Sequence, residues 1–98
     1  MWRHGDVLIA TAASLPPEAR KRPNLTLAYG EITGHSHRIK ESGAAELWES
    51  GGALFLKVVD ETATLIHEEH LPITLPRGLY RVWRQREYTP RQIRQVAD

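Results

Sequence analysis

The chain has 98 residues, thirteen of them basic and twelve acidic, for a formal net charge of +1, and it has no cysteine. This length fits one domain, residues 1–98, around one core. Near-neutrality argues against a general polyelectrolyte binder of nucleic acid or anionic membrane, and the lack of cysteine excludes disulfides and thiolate metal sites.

The N-terminus, Met1-Trp2-Arg3-His4-Gly5-Asp6, lacks the apolar core of a secretory signal. No stretch approaches the roughly 20 apolar residues of a membrane span, so a soluble, cytoplasmic protein without membrane contact is expected. Asp6 to Ala10 is a short apolar, β-branched run that predicts a first strand. Ser14 to Pro23 holds three prolines among charges and predicts a surface loop. In Asn24 to Glu31, Leu25, Leu27 and Tyr29 alternate with Thr26, Ala28 and Gly30, which predicts a second strand with the first set on one face.

After Thr33-Gly34, His35, His37 and Ile39 share one parity and Ser36, Arg38 and Lys40 the other, so both histidines turn inward with Ile39. Glu41-Ser42-Gly43 is turn chemistry, and Ala44 to Glu49 and Ala53 to Val59 form a hairpin about Ser50-Gly51-Gly52. Asp60-Glu61 reads as the next tight connection and Leu75-Pro76-Arg77-Gly78 as another turn. Between them, Thr62 to His67 is strand-like with Leu65 and His67 on one face. If the chain stays extended to Leu75, Glu69 follows His67 inward and His70 points out; a bend or bulge at Glu68-Glu69 would instead bring His70 to His67. Leu79 to Tyr88 predicts a final long strand, and Thr89-Pro90 opens a short C-terminal helix with Ile93 and Val96 toward the core. Short strands separated by Gly, Pro and Asp turns indicate an all-β fold, a small antiparallel β-barrel or sandwich.

Four of the five histidines fall in two blocks, Gly34-His35-Ser36-His37-Arg38-Ile39 and His67-Glu68-Glu69-His70. A His-x-His pair on a strand holds two imidazoles on one side with Cα atoms about 6.6 Å apart, close enough for adjacent positions around one ion. His67 or His70 from a second strand, with Glu69 or Glu41 as an oxygen donor, would complete a set suited to Zn, Fe, Mn, Ni or Cu. The bland alternative is a polar core network of neutral histidines bonded to one another, to Tyr29 or to Glu69. The second block is not the zincin motif, which needs histidines four apart on a helix.

The first block resembles the first cupin motif, His-x-His followed by a metal-binding glutamate: His35, Ser36, His37, then Glu41. Pro76-Arg77-Gly78 is similar to the Pro-x-Gly of the second motif. That motif's third histidine falls at Arg81 here, so His67 or His70 would substitute. The resemblance implies a jelly-roll barrel and a metal-dependent oxygenase, isomerase or hydrolase acting on a small or sugar-like substrate, with Glu68 or Glu69 as the base. The chain also resembles short bacterial proteins that carry both histidine blocks, a likeness that implies no activity.

A different class of function is a non-enzymatic interaction module. Tyr80, Trp83 and Tyr88 interleave with Arg81, Arg84 and Arg86, a pattern for stacking and charge contacts to single-stranded nucleic acid, or for a protein partner. Trp2 and Trp48 read as core or homodimer contacts. A symmetric oligomer subunit is a third class.

Overall fold

A computed structural model describes residues 1–30 and 34–85. They form eight strands: β1 (Trp2–His4), β2 (Val7–Thr11), β3 (Arg20–Lys21), β4 (Thr26–Tyr29), β5 (Ser36–Ile39), β6 (Ala45–Ser50), β7 (Ala53–His67) and β8 (His70–Arg84). Every pairing is antiparallel, in the order β1-β2-β8-β7-β5-β4, with β6 against the first part of β7 and β3 against β6. The sheet curls into a half-barrel whose concave side holds Val7, Ile9, Ile39, Leu47, Leu56, Leu65, Leu75, Tyr80 and Val82 in one apolar cluster. The expected C-terminal helix, and Arg86 and Tyr88, lie outside the described residues.

The expected hairpin between β6 and β7 forms, with Ser50 opposite Ala53 and both turn glycines at positive φ, 53° and 85°, as a two-residue primed turn requires. Two other expected turns are not turns. Asp60-Glu61 and Leu75 to Gly78 lie inside the two 15-residue strands β7 and β8. Val58 pairs with Gly78 and Thr62 with Pro76, so residues 59–61 face Arg77 alone. Turn-forming residues here build a bulge that bends both strands together, and Pro76 sits beside it, where a missing N–H costs little.

Two further differences bear on the site. The strand β1 was not expected; Gly5-Asp6 joins it to β2 in a two-residue turn with φ 64° at Gly5, the first central position that a type II′ turn reserves for glycine. In β4 the register slips between Thr26 and Ala28. That bulge leaves Leu27 and Ala28 both buried and turns Tyr29 outward at 62% exposure, which removes it as a partner in the alternative polar network.

Candidate metal centre

Strand parity sends the histidines to the concave side at one end of the curl. His4 lies opposite Val7, which is fully buried. His37 shares its face with Ile39, Ile39 pairs with Leu65, and Leu65 shares its face with His67. The second histidine block proves to be a hairpin: Glu68-Glu69 is the two-residue turn, and His67 and His70 are a cross-strand pair. Between that pair and the Leu65–Ile73 pair, Ile66 faces both Leu71 and Pro72. The extra residue resets the alternation of β8 and turns His70 to the side of His67, the second of the two alternatives open in the sequence.

The rings pack closely, with centroids 4.4 Å apart for His37 and His67, 4.7 Å for His67 and His70, and 5.6 Å for His37 and His70. One ring nitrogen from each of these three lies within 4.8 Å of the others. Burial is graded: His37 is 3% exposed, His67 half-buried and His70 exposed, so the set opens to solvent on the His70 side. The backbone of Gly5 forms its floor. A Cβ there would stand 2.7 Å from His70 Nε2 and 3.1 Å from His37 Cε1.

His4 is the member that sequence reasoning missed. It is 2% exposed, its Nδ1 lies 2.9 Å from His37 Nδ1, and its Nε2 lies 3.0 Å from the Leu71 carbonyl oxygen. A carbonyl only accepts, so His4 Nε2 carries the proton and, in the neutral ring, Nδ1 accepts. His37 Nδ1–H is then the donor, and the lone pair of His37 is left on Nε2. Gly5-Asp6 before an apolar strand was the available signal, because a Gly-first hairpin turn puts His4 opposite Val7.

Burial lowers the pKa of both rings. For His37 desolvation leads, followed by the like charges of His67 and His4, and together they bring it to about 4 against the pull of Asp6. For His4 desolvation again leads and outweighs the Leu71 bond. Both therefore stand neutral near pH 7, the form in which imidazole binds a metal. Asp6 approaches His37 Nε2 at 3.6 Å while its other oxygen takes bonds from Arg84 Nε and Nη2 at 3.1 and 2.8 Å. Burial would raise the Asp6 pKa, but the bonds and charge of Arg84 hold it below its ordinary value.

The remaining residues named from the sequence fall in two places. His35 and Glu68 form a second donor set with His67, again within 4.8 Å, and His35 Nδ1 lies 3.5 Å from Glu69 Oε2. Glu68 accepts from Ser36 N at 3.1 Å and pairs with Arg38 at 2.9 Å. Its own amide and that of Ser36 are the main causes that lower its pKa, which makes it a poor proton acceptor near neutrality. Glu41 is not brought to the histidines: its carboxylate accepts from Thr64 N and Oγ1 at 2.9 and 2.7 Å. It therefore cannot serve as the glutamate of the cupin-like spacing without abandoning both bonds. On the final strand, Tyr80 is 2% exposed and Arg84 is tied to Asp6, so neither is presented outward with Arg81.

Residues 3–85 match the family described as Domain of unknown function (DUF8820). The chain belongs to that family. No curated protein and no solved structure matches it. Among the described residues no helix is long and apolar enough to cross a membrane.

Proposed function

We propose that this member of the family binds one divalent transition-metal ion through His37, His67 and His70. The observation that carries the reading is the convergence of three ring nitrogens within 4.8 Å on the concave side of the sheet. Metal–nitrogen bonds of about 2.1 Å set tetrahedral donors roughly 3.4 Å apart, so closure asks for about an ångström of side-chain movement. His70, exposed at the turn, is free to supply most of it.

Three imidazoles and no thiolate suit Zn, Fe, Ni or Cu above the hard cations. His37 is prepared for the role by His4 and the Leu71 carbonyl, which fix its tautomer with the lone pair on Nε2, as outer partners of metal-bound histidines do. His67 contributes at the expense of the bond, 2.9 Å long, that it accepts from Glu69 N–H.

Three neutral ligands would leave the ion its full charge, with which it would activate water or polarise a carbonyl. The function that fits is a small metal-dependent enzyme, cupin-like in outline, acting on a small molecule. Elemental analysis of native protein and the rise in melting temperature on adding Zn, Ni, Fe or Cu test the reading. About one ion per chain, lost in His37→Ala, is expected; protein that carries no metal and melts unchanged with each ion would overturn it.

A further inference from the structure

The second donor set is built at the solvent edge of the first. His35 is half-buried and precedes β5; Glu68 is exposed on the β7–β8 turn; and the two share His67 with the inner set. Glu69, beside Glu68 on that turn, holds its carboxylate 3.5 Å from His35 Nδ1. The outer set therefore offers two nitrogens and one oxygen, with a further carboxylate within reach. The inner set offers three nitrogens, one of them deeply buried.

Sharing His67 decides how the two sets relate. A neutral imidazole has one lone pair on its ring nitrogens, so His67 serves one ion at a time and the two sets are alternatives. Their electrostatics differ. At the outer set two carboxylates, Glu68 and Glu69, face one guanidinium, Arg38, which leaves net negative charge at the solvent edge. At the inner set the Asp6 carboxylate is balanced by Arg84. An arriving cation is drawn first to the outer edge, and the third nitrogen of the inner set then holds it better.

Resting on the metal reading above, we propose that His35, Glu68 and His67 form an acquisition site, which captures a divalent cation from solution and passes it to the inner set. His67 stays bound throughout while His35 and Glu68 are exchanged for His37 and His70. Because the ion crosses the same intermediate in both directions, loss of the outer ligands slows loading and release alike and leaves the equilibrium affinity unchanged.

Stopped-flow loading of metal-free protein with Co²⁺, read by its ligand-field absorption, tests this, together with release to excess chelator and the equilibrium Kd. In His35→Ala and in the milder Glu68→Gln, loading and release should both slow, about tenfold for His35→Ala, with Kd held within about twofold. Tight binding by wild type with unchanged rates in both variants would overturn the acquisition site alone. So would a weakened Kd at an unchanged loading rate, which would make His35 an equilibrium ligand, or two Co²⁺ held at once. No Co²⁺ uptake by wild type would overturn the inner site and the acquisition site together.

Discussion

His4 Nδ1 lies 2.9 Å from His37 Nδ1, and this contact joins β1, at one edge of the sheet, to β5, near the other. The curl that makes the half-barrel brings the two edges within reach, and His4 spans the gap. Its second nitrogen bonds the carbonyl of Leu71, the residue after His70. One buried side chain thus ties the ring of one proposed ligand, His37, to the backbone of the residue that follows another, His70.

His4→Phe keeps an aromatic ring, somewhat larger than imidazole, and removes both nitrogens. Metal affinity should fall about 10- to 100-fold, the range seen when an outer partner of a metal-bound histidine is lost. His4→Asn, which keeps an acceptor near the Nδ1 position, should recover part of it. Nitrogen NMR of the metal-free protein separates this role from packing: wild-type His37 should carry its proton on Nδ1, and His4→Phe should lose that preference while staying folded.

Gly5→Ala should harm the site more than its size suggests. The φ of 64° favours glycine, and a Cβ there meets His70 Nε2 at 2.7 Å. A residue with a Cβ held at this positive φ costs about 1 to 3 kcal/mol, and His70 must swing away from His37 to relieve the contact. Expected are a lower melting temperature for the metal-free protein and a loss of the metal-induced rise. Normal zinc stabilisation in Gly5→Ala would show that His70 is not held against this turn when the ion binds.

The metal-free protein should lose stability in acid through His37. Its pKa in the fold is lowered from the ordinary 6.5 to about 4, with burial as the leading cause. The unfolded chain therefore binds the proton first. The contribution is complete above pH 6.5, declines as pH falls toward 4 and is gone below that. A displacement of this size corresponds to roughly 3 kcal/mol. Urea unfolding of metal-free protein at pH 7.5, 5.5 and 4.5 should show the decline, and His37→Asn should reduce it to what the lowered pKa of His4 contributes. A wild-type profile without slope in this window would mean that His37 is not held neutral by the fold.

How far the sequence reaches depends on whether local alternation survives folding. The inward face of His37 was legible because Ile39 repeats its parity and Arg38 and Lys40 oppose it; the same parity places His35 beside it, but His35 precedes β5 and stands half-buried in the outer set. The hairpin about Gly51-Gly52 was legible from its turn residues. The parity of His70 was not, because one extra residue at Leu71-Pro72 reverses it, and bulges have no strict sequence mark. Asp60-Glu61 and Pro76-Arg77-Gly78 misled for a related reason, since turn-forming residues also serve a bulge that bends two long paired strands. Tyr29 was lost to a register slip in β4. His4 stands alone in the sequence, and its value comes from the curl that carries one sheet edge to the other.

The hairpin turn should report whether His67 takes the ion. His67 Nδ1 accepts from Glu69 N–H at 2.9 Å, so the neutral ring carries its proton on Nε2. If the ion binds Nδ1, it takes the lone pair that the amide used. If it binds Nε2, the ring proton must move to Nδ1, where it opposes the amide hydrogen. Either way the Glu69 bond is lost. Zinc titration followed by amide NMR should therefore move the Glu69 N–H resonance with saturation near one equivalent and speed its exchange with solvent. The Gln85 amide, bonded to the Asp6 carbonyl at 2.8 Å, should keep its protection. If zinc binds and shifts His37 and His70 while the Glu69 amide keeps both its position and its protection, His67 is not a ligand. The three-nitrogen set would then fail at the residue that both donor groups share.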